Sequence, residues 1–461
     1  MSPTEQVLAR AEQDFDANMQ RWLDWLRIPS ISANPAHNAD CVTAAEFAAR
    51  ELAAMGFSVE ILPTGGQPVV LAHHAGPTTA TPHLLYYGHY DVQPPEPLEL
   101  WDAPPFDPQI VDGPHGKRVV ARGAVDDKGQ VATWLAAFRA WFDTTGGMPT
   151  RITVLLEGEE EIGSPNLEPF IVANRDRLAA EIAVISDTGQ WDIDTPALTA
   201  SVRGMAYMEV HLKGSSRDLH SGMYGGSALN SINALTRALG QIHDENGRVR
   251  IPGFYDGVDD VSESQKAAWQ KLGFSEHDFL ADIGLSVPVG EKDRSALERL
   301  WARPTADING IWGGYQGPGS KTVIASEAGA KISFRLVPGQ DPNYIVDCFK
   351  KFMAPHVPAD ATLTYIEHAC SPGLAIDTAN RFVAAAAVAL EAEYGRKAAM
   401  IGCGGSIPVV ECFRRVLGLD SLMVGFGLSD DKMHSPNEKF EVACFTHGLR
   451  SHIRLLGEVG R

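Results

Sequence analysis

A chain of 461 residues is too long for one ordinary core, and 44% hydrophobic with 21% charged residues excludes a disordered protein. The 58 acidic residues outnumber the 39 basic ones, and the resulting net charge of -19 argues against nucleic acid and anionic membranes as partners. Residues 1–10 lack the basic-then-apolar pattern of a signal peptide, no apolar run could span a bilayer, and the six cysteines are scattered, so a cytoplasmic protein with reduced thiols is expected.

In chain order, Val7, Phe15, Met19, Trp22, Leu23 and Leu26 recur at helical spacing, and Ile28-Pro29 ends the pattern. A second helix is predicted from about Val42 to Met55, closed by Gly56. Strand-like runs follow at Phe57 to Leu62, Val69 to His73 and Leu84 to Tyr87. Then Val131 to Phe142 reads as a helix, Ile152 to Leu156 as a buried strand, Leu167 to Leu178 as a helix and Ile182 to Ile185 as a strand. Short apolar strands alternating with helices predict an α/β fold, a largely parallel sheet flanked by helices. Near Ala197 the texture changes. AYMEVHLK (206–213) and AKISFRLV (330–337) alternate like half-exposed strands, with a helix near Ser231 to His243 between them. The expected organisation is a catalytic domain over 1–197 and 379–461, interrupted by an α+β insertion over 198–378.

Chemistry gathers just beyond the predicted strands. His89 and Asp91 follow the strand at Leu84, and Glu159, Glu160 and Glu161 follow that at Ile152. Asp187 follows Ile182 to Ile185, and His434 lies past the strand at Leu422. Carboxyl ends of parallel strands line the ligand crevice of an open sheet. Asp126 and Asp127 precede the helix at Val131, whose start could face the same crevice. Singly, each has an ordinary reading: among fifteen histidines most are structural, Asp-Asp-Lys-Gly is a common cap, and three glutamates are commonly a solvated face. Together, imidazoles and carboxylates without sulfur suit hard or borderline divalent ions, and their surplus suggests two ions sharing a carboxylate.

The segments GHYDVQP, RGAVDDKG, EGEEEIGS, VISDTG, DLHSGMYGG and MHSPNEKF, in this order, resemble the co-catalytic metallopeptidases. That family includes carboxypeptidase G, aminoacylase, succinyl-diaminopimelate desuccinylase and the carnosinase-like dipeptidases, and the resemblance is nearest to the last. It implies two divalent ions, zinc or manganese, per subunit. Asp126 would bridge them, with His89 and Asp187 on one ion and Glu161 and His434 on the other. Glu160 would be the general base and Asp91 the acid that orients His89. It also implies a cis bond between Asp126 and Asp127. Three ligating carboxylates and Glu160 would balance the four positive charges of two ions.

For the insertion, the resemblance implies a lid and dimerisation domain. His220 would reach a neighbouring subunit's active site in a homodimer, and Arg335, Asn309 and Thr322 would bind substrate together with Ser406 of the returning domain. The implied reaction is hydrolysis of the amide bond of a small peptide with a free C-terminal carboxylate; the alternative is an N-acyl-amino-acid deacylase of the same family. The Gly314 to Thr322 segment imitates a phosphate loop, but Ser320 separates Gly319 from Lys321 and no buried strand leads into it. A catalytically dead binding module is the remaining rival, against which stands the complete ligand set. Cys403 lacks a histidine partner in the sequence pattern and reads as a buried thiol.

Overall fold

The computed structural model describes residues 1–461, the side chain of Ala369 excepted. It divides into two compact units. One comprises Met1–Ala200, Ile376–Ile401 and Pro408–Arg461; the other comprises Ser201–Ala375 and Gly402–Ile407. The short segment Gly402–Ile407, which holds Ser406, therefore groups with the second unit rather than with the returning chain around it.

The first unit is built on a six-stranded sheet in the order Ser58–Leu62, Val69–His74, Arg151–Glu157, His83–His89, Ile182–Ile185, Ser421–Met423. The last four run parallel to one another. The first two form an antiparallel edge, with Val69–His74 paired to Arg151–Glu157. All residues from Leu84 to His89 are buried. Because successive side chains of a strand point to opposite faces, this strand is covered on both sides. The helix Val442–Val459 packs against both Lys128–Thr145 and Arg381–Tyr394, and one continuous core joins all three to the sheet.

Several element boundaries differ from the sequence expectation: the helix expected over Leu167 to Leu178 ends at Ala173, and that expected from Val42 to Met55 runs Asn38–Ala53. The opening helix is two, Pro3–Gln13 and Phe15–Leu26, because Asp14 leaves the helical region while its carboxylate takes a hydrogen bond from Arg10. The helix expected from Val131 begins at Lys128; its first turn is polar yet buried, so apolar periodicity does not register it. The helix beginning at Ser231 stops at Leu239, before Gly240. Among the described residues no helix is long and apolar enough to cross a membrane.

One core histidine carries a consequence for stability. His452 stacks on Trp134 at 3.9 Å between ring centroids, meets Phe426 edge-on, and has no hydrogen-bond partner for either nitrogen among the described residues. Burial holds its pKa well below 6.5, so the folded state keeps it neutral while an unfolded chain protonates it near 6.5. Its contribution is thus fully present above that pH and is lost as pH falls below it, by about 1.4 kcal/mol per unit. His452→Phe should keep the stack and flatten the decline in melting temperature between pH 6.5 and 5. Parallel declines in both proteins would assign acid sensitivity to other groups.

The second unit is a four-stranded antiparallel sheet in the order Thr305–Gly313, Glu327–Leu336, Gly204–Lys213, Thr362–Ser371. Ala206, Met208, Val210 and Leu212 alternate onto a core shared with the helices Ser231–Leu239 and Pro342–Met353. Glu209 and His211 lie on the other, partly open face. Between Ile308 and Gly310 the register of the edge strand shifts, leaving Asn309 as the extra residue of a bulge. Bulges commonly re-aim a side chain at a site.

Candidate metal centre

The parallel strands carry their polar residues to one edge of the sheet. His89 is the last residue of its strand, and its backbone N–H donates to Asp127 Oδ2 at 3.2 Å. Gly88 permits this approach: a Cβ there would lie 2.7 Å from Val131 and 2.9 Å from the Asp127 carboxylate. Asp126 sits immediately before the Lys128–Thr145 helix, and the Asp126–Asp127 peptide bond is cis. Glu160 and Glu161 occupy a 3-10 turn, Glu160–Ile162, that follows Arg151–Glu157. Asp187 lies just past Ile182–Ile185, and His434 takes a left-handed backbone, φ 61°, in the loop beyond Ser421–Met423.

These residues form two clusters sharing Asp126. His89, Asp126 and Asp187 offer ligand atoms within 4.8 Å of one another, and so do Asp126, Glu161 and His434. One carboxylate oxygen of Asp126 is 3.1 Å from His89 Nε2, and the other is 3.0 Å from His434 Nε2. His434 Nε2 is also 3.3 Å from Glu161 Oε2. Asp126 therefore faces both ways. His89 Nδ1 donates to the Asp91 backbone carbonyl at 3.1 Å, with the Asp91 carboxylate 3.3 Å away. That leaves His89 Nε2 buried without a hydrogen-bond partner among the described residues. An orphaned imidazole nitrogen turned toward two carboxylates fits a metal ligand better than a structural histidine.

The charges agree. Hydrogen bonds with Asp126 and Glu161 push the His434 imidazole up to about 10. Burial opposes protonation of His89, but Asp126 and Asp91 outweigh it and raise its pKa. Burial likewise disfavours the Asp126 anion, and the two histidines overcome it and hold this carboxyl below its ordinary range. Burial raises Asp187 to about 7, helped by the nearby Asp126 charge. So many acids in one buried place are compensated by cations or not ionised at all.

Glu160 and Glu161 differ although adjacent. The Glu161 carboxylate accepts from Gln93 Nε2 at 2.8 Å and meets His434. Glu160 is raised to about 7, chiefly by burial, a value suited to passing a proton at neutral pH. The Asp91 carboxylate fixes the turn that carries both, accepting from the N–H of Glu160 at 3.2 Å and of Glu161 at 3.1 Å. It also takes a hydrogen bond from Ser32 Oγ at 2.6 Å.

Sequence reasoning missed the support of Asp126. Glu438, fully buried, accepts from the N–H groups of Gly123, Val125 and Asp126 at 2.9, 3.0 and 3.1 Å, and from Arg122 Nη1 at 2.8 Å. Arg122 in turn packs over Trp101 and donates to the Pro94 carbonyl. MHSPNEKF contains this glutamate, but nothing in the local sequence points to partners more than 300 positions earlier. Lys128 was missed too: its buried ammonium donates to the carbonyls of Trp25 at 3.3 Å and Ile28 at 2.7 Å, closing the Phe15–Leu26 helix.

In the second unit the predicted residues fall into two groups. His220 pairs with Val323 in a two-stranded ribbon, and the Thr322 carbonyl accepts from Ser221 N–H, so His220 and Thr322 are neighbours. His220 is exposed, and its Nδ1 accepts from Gly222 N–H at 3.0 Å, which leaves Nε2 able to donate. Elsewhere Arg335 Nη1 donates to Ser406 Oγ at 3.0 Å, and Arg335 lines a cavity together with the bulge residue Asn309.

The description of peptidase family M20/M25/M40 matches residues 85–458. The Cys-Gly metallodipeptidase dug1 of Schizosaccharomyces pombe is 28% identical, covering 96% of this chain and 95% of that protein. The human Beta-Ala-His dipeptidase is also 28% identical, over 97% and 92%. The solved structure of the dipeptidase Dug1p from Saccharomyces cerevisiae superposes with a TM-score of 0.82 at 27% identity, covering 100% of this chain and 99% of that one. With two clusters of residues able to hold metal ions, joined by one aspartate, and with that match over most of its length, the chain belongs to peptidase family M20/M25/M40.

Proposed function

We propose that this protein is a di-metal dipeptidase that hydrolyses the amide bond of short peptides with a free C-terminal carboxylate. The observation that carries the reading is Asp126, whose two oxygens face His89 and His434 separately. In this reading His89, Asp126 and Asp187 hold one divalent ion, and Asp126, Glu161 and His434 hold the other. Such ions supply Lewis-acid chemistry at a carbonyl oxygen and lower the pKa of water. Glu160 takes the proton of the attacking water and delivers it to the leaving amine nitrogen. Asp91 keeps His89 in the tautomer that presents Nε2 and holds the Glu160–Glu161 turn in place.

Arg335, Asn309, Thr322 and Ser406 are assigned to the substrate, with the Arg335 guanidinium as the planar donor to its carboxylate. His220 is assigned to the oxyanion of the neighbouring subunit's reaction in a homodimer. The metals are zinc or manganese. The protein is cytoplasmic, in keeping with six cysteines scattered without a CxxC pair or framework-like spacing; cell fractionation that found it in an oxidising compartment would overturn this.

The test is a panel of cysteinyl-glycine, β-alanyl-histidine and alanyl dipeptides, with their C-terminal amides, on metal-stripped and reloaded protein. Turnover of the acids should require reloading with two equivalents of zinc or manganese, and the amides should be poor substrates. Cleavage of N-acyl-amino acids in preference to every dipeptide would make it a deacylase instead.

A further inference from the structure

The second unit encloses a cavity of about 760 Å³ whose wall contains four arginines, Arg203, Arg299, Arg303 and Arg335. Two of them are neutralised within the wall: Arg299 pairs with Glu276, and Arg303 Nε lies 2.9 Å from Glu291. The other two have no carboxylate within ion-pair distance among the described residues. Arg335 donates to the Ser406 hydroxyl, and Arg203 Nε donates to the Gly404 carbonyl at 2.8 Å. The nearest acid of the wall, Asp307, already accepts from Thr305 Oγ1 at 2.9 Å.

The sheet register places these two guanidinium groups together. Arg335 is directly opposite Met205, and Arg203 lies two residues before Met205 at the mouth of the same strand. Period-two alternation puts Arg203 and Met205 on one face, which makes Arg203 and Arg335 diagonal neighbours. The loop 402–407 braces both. The Arg203 N–H donates to the carbonyls of Cys403 and Gly405, and the same loop supplies Gly404 and Ser406. A Cβ on Gly404 would stand 3.2 Å from Arg203 Nη2, so glycine leaves that nitrogen room. Burial and the adjacent Arg335 charge lower Arg203 to about 10, which still leaves it cationic at neutral pH. Two half-buried like charges, kept together in a chain of net charge -19, lack only an anion.

We propose that Arg203 is a second carboxylate-binding residue, and that Arg203 and Arg335 together hold the substrate's C-terminal carboxylate. The Asp307 charge near Arg203 leaves the trio with one net positive charge, which a single carboxylate neutralises. The proposal rests on the dipeptidase reading for its substrate, not for its anion.

The experiment compares wild type, Arg203→Gln and Arg203→Lys, all metal-loaded, on alanyl-alanine and alanyl-alanine amide. Calorimetric titration with alanine and alaninamide accompanies the kinetics. Arg203→Gln should raise KM for the acid roughly 10–100-fold with little change in kcat, and should weaken alanine binding by a similar factor. The amides should be unaffected, and Arg203→Lys should recover part of the loss by restoring the charge. Equal effects on acid and amide, or a lysine variant no better than glutamine, would reduce Arg203 to a brace for the 402–407 loop and overturn the proposal. Loss of alanine binding in Arg203→Gln with no turnover of any dipeptide by the wild type would uphold the anion site and overturn the dipeptidase reading.

Discussion

Glu160→Gln is expected to leave two metal ions on each chain and to lower turnover by about 10²–10⁴-fold, the range of a lost general base. The expectation rests on the contrast between neighbours. Glu161 is engaged by Gln93 and His434, whereas Glu160 stands in the same turn with its carboxyl raised to about 7 by burial. Glutamine keeps the size and the backbone bond to Asp91 but cannot carry a proton between water and amine. Metal content by elemental analysis and kcat on a dipeptide are the two readings. Loss of one metal with the activity would exchange the roles of Glu160 and Glu161. The same variant serves the homodimer proposal. Mixed with His220→Ala chains it should regain part of the activity, since some sites then receive both good residues. No recovery in verified mixed dimers would confine His220 to its own chain or remove it from catalysis.

Asp126→Asn should be the most damaging single change at the metal centre. Both carboxylate oxygens are committed, one toward each histidine. An amide offers one oxygen and turns N–H groups toward the other side, and it removes a negative charge from both clusters at once. Affinity for both ions should fall more than about 100-fold, beyond the effect of losing an outer partner, and activity should be near background. Retention of two ions at wild-type affinity would show that the clusters are independent and that Asp126 does not bridge them.

Much of the site was legible because its chemistry follows buried strands. Leu84 to Tyr87, Ile152 to Leu156 and Ile182 to Ile185 are unmistakable apolar runs, and acids or imidazoles directly after them stand out. The largely parallel α/β sheet was legible for the same reason. Its antiparallel edge was not, since Val69–His74 is as apolar as its parallel neighbours and nothing in its composition reveals direction. Local pattern also failed where a residue's partner is remote. Glu438 acts on backbone groups some 312 to 315 positions earlier, and Arg203 gains meaning only beside Arg335 and the glycine loop. The bulge at Asn309 is a matter of register between two strands, which periodicity within one strand cannot disclose.

The clasp of Glu438 on residues 123–126 ties an early loop to a residue made some 312 to 315 positions later. A growing polypeptide emerges from the ribosome amino end first, so His89, Asp126, Glu161 and Asp187 are all exposed to the cell before position 434 or 438 has been made. During that interval Asp126 lacks the acceptor that orders its backbone, and one of the two clusters lacks its imidazole. A chain truncated before position 434 is therefore expected to keep His89 and its carboxylate neighbours but to lack His434 and the acceptor that orders residues 123–126.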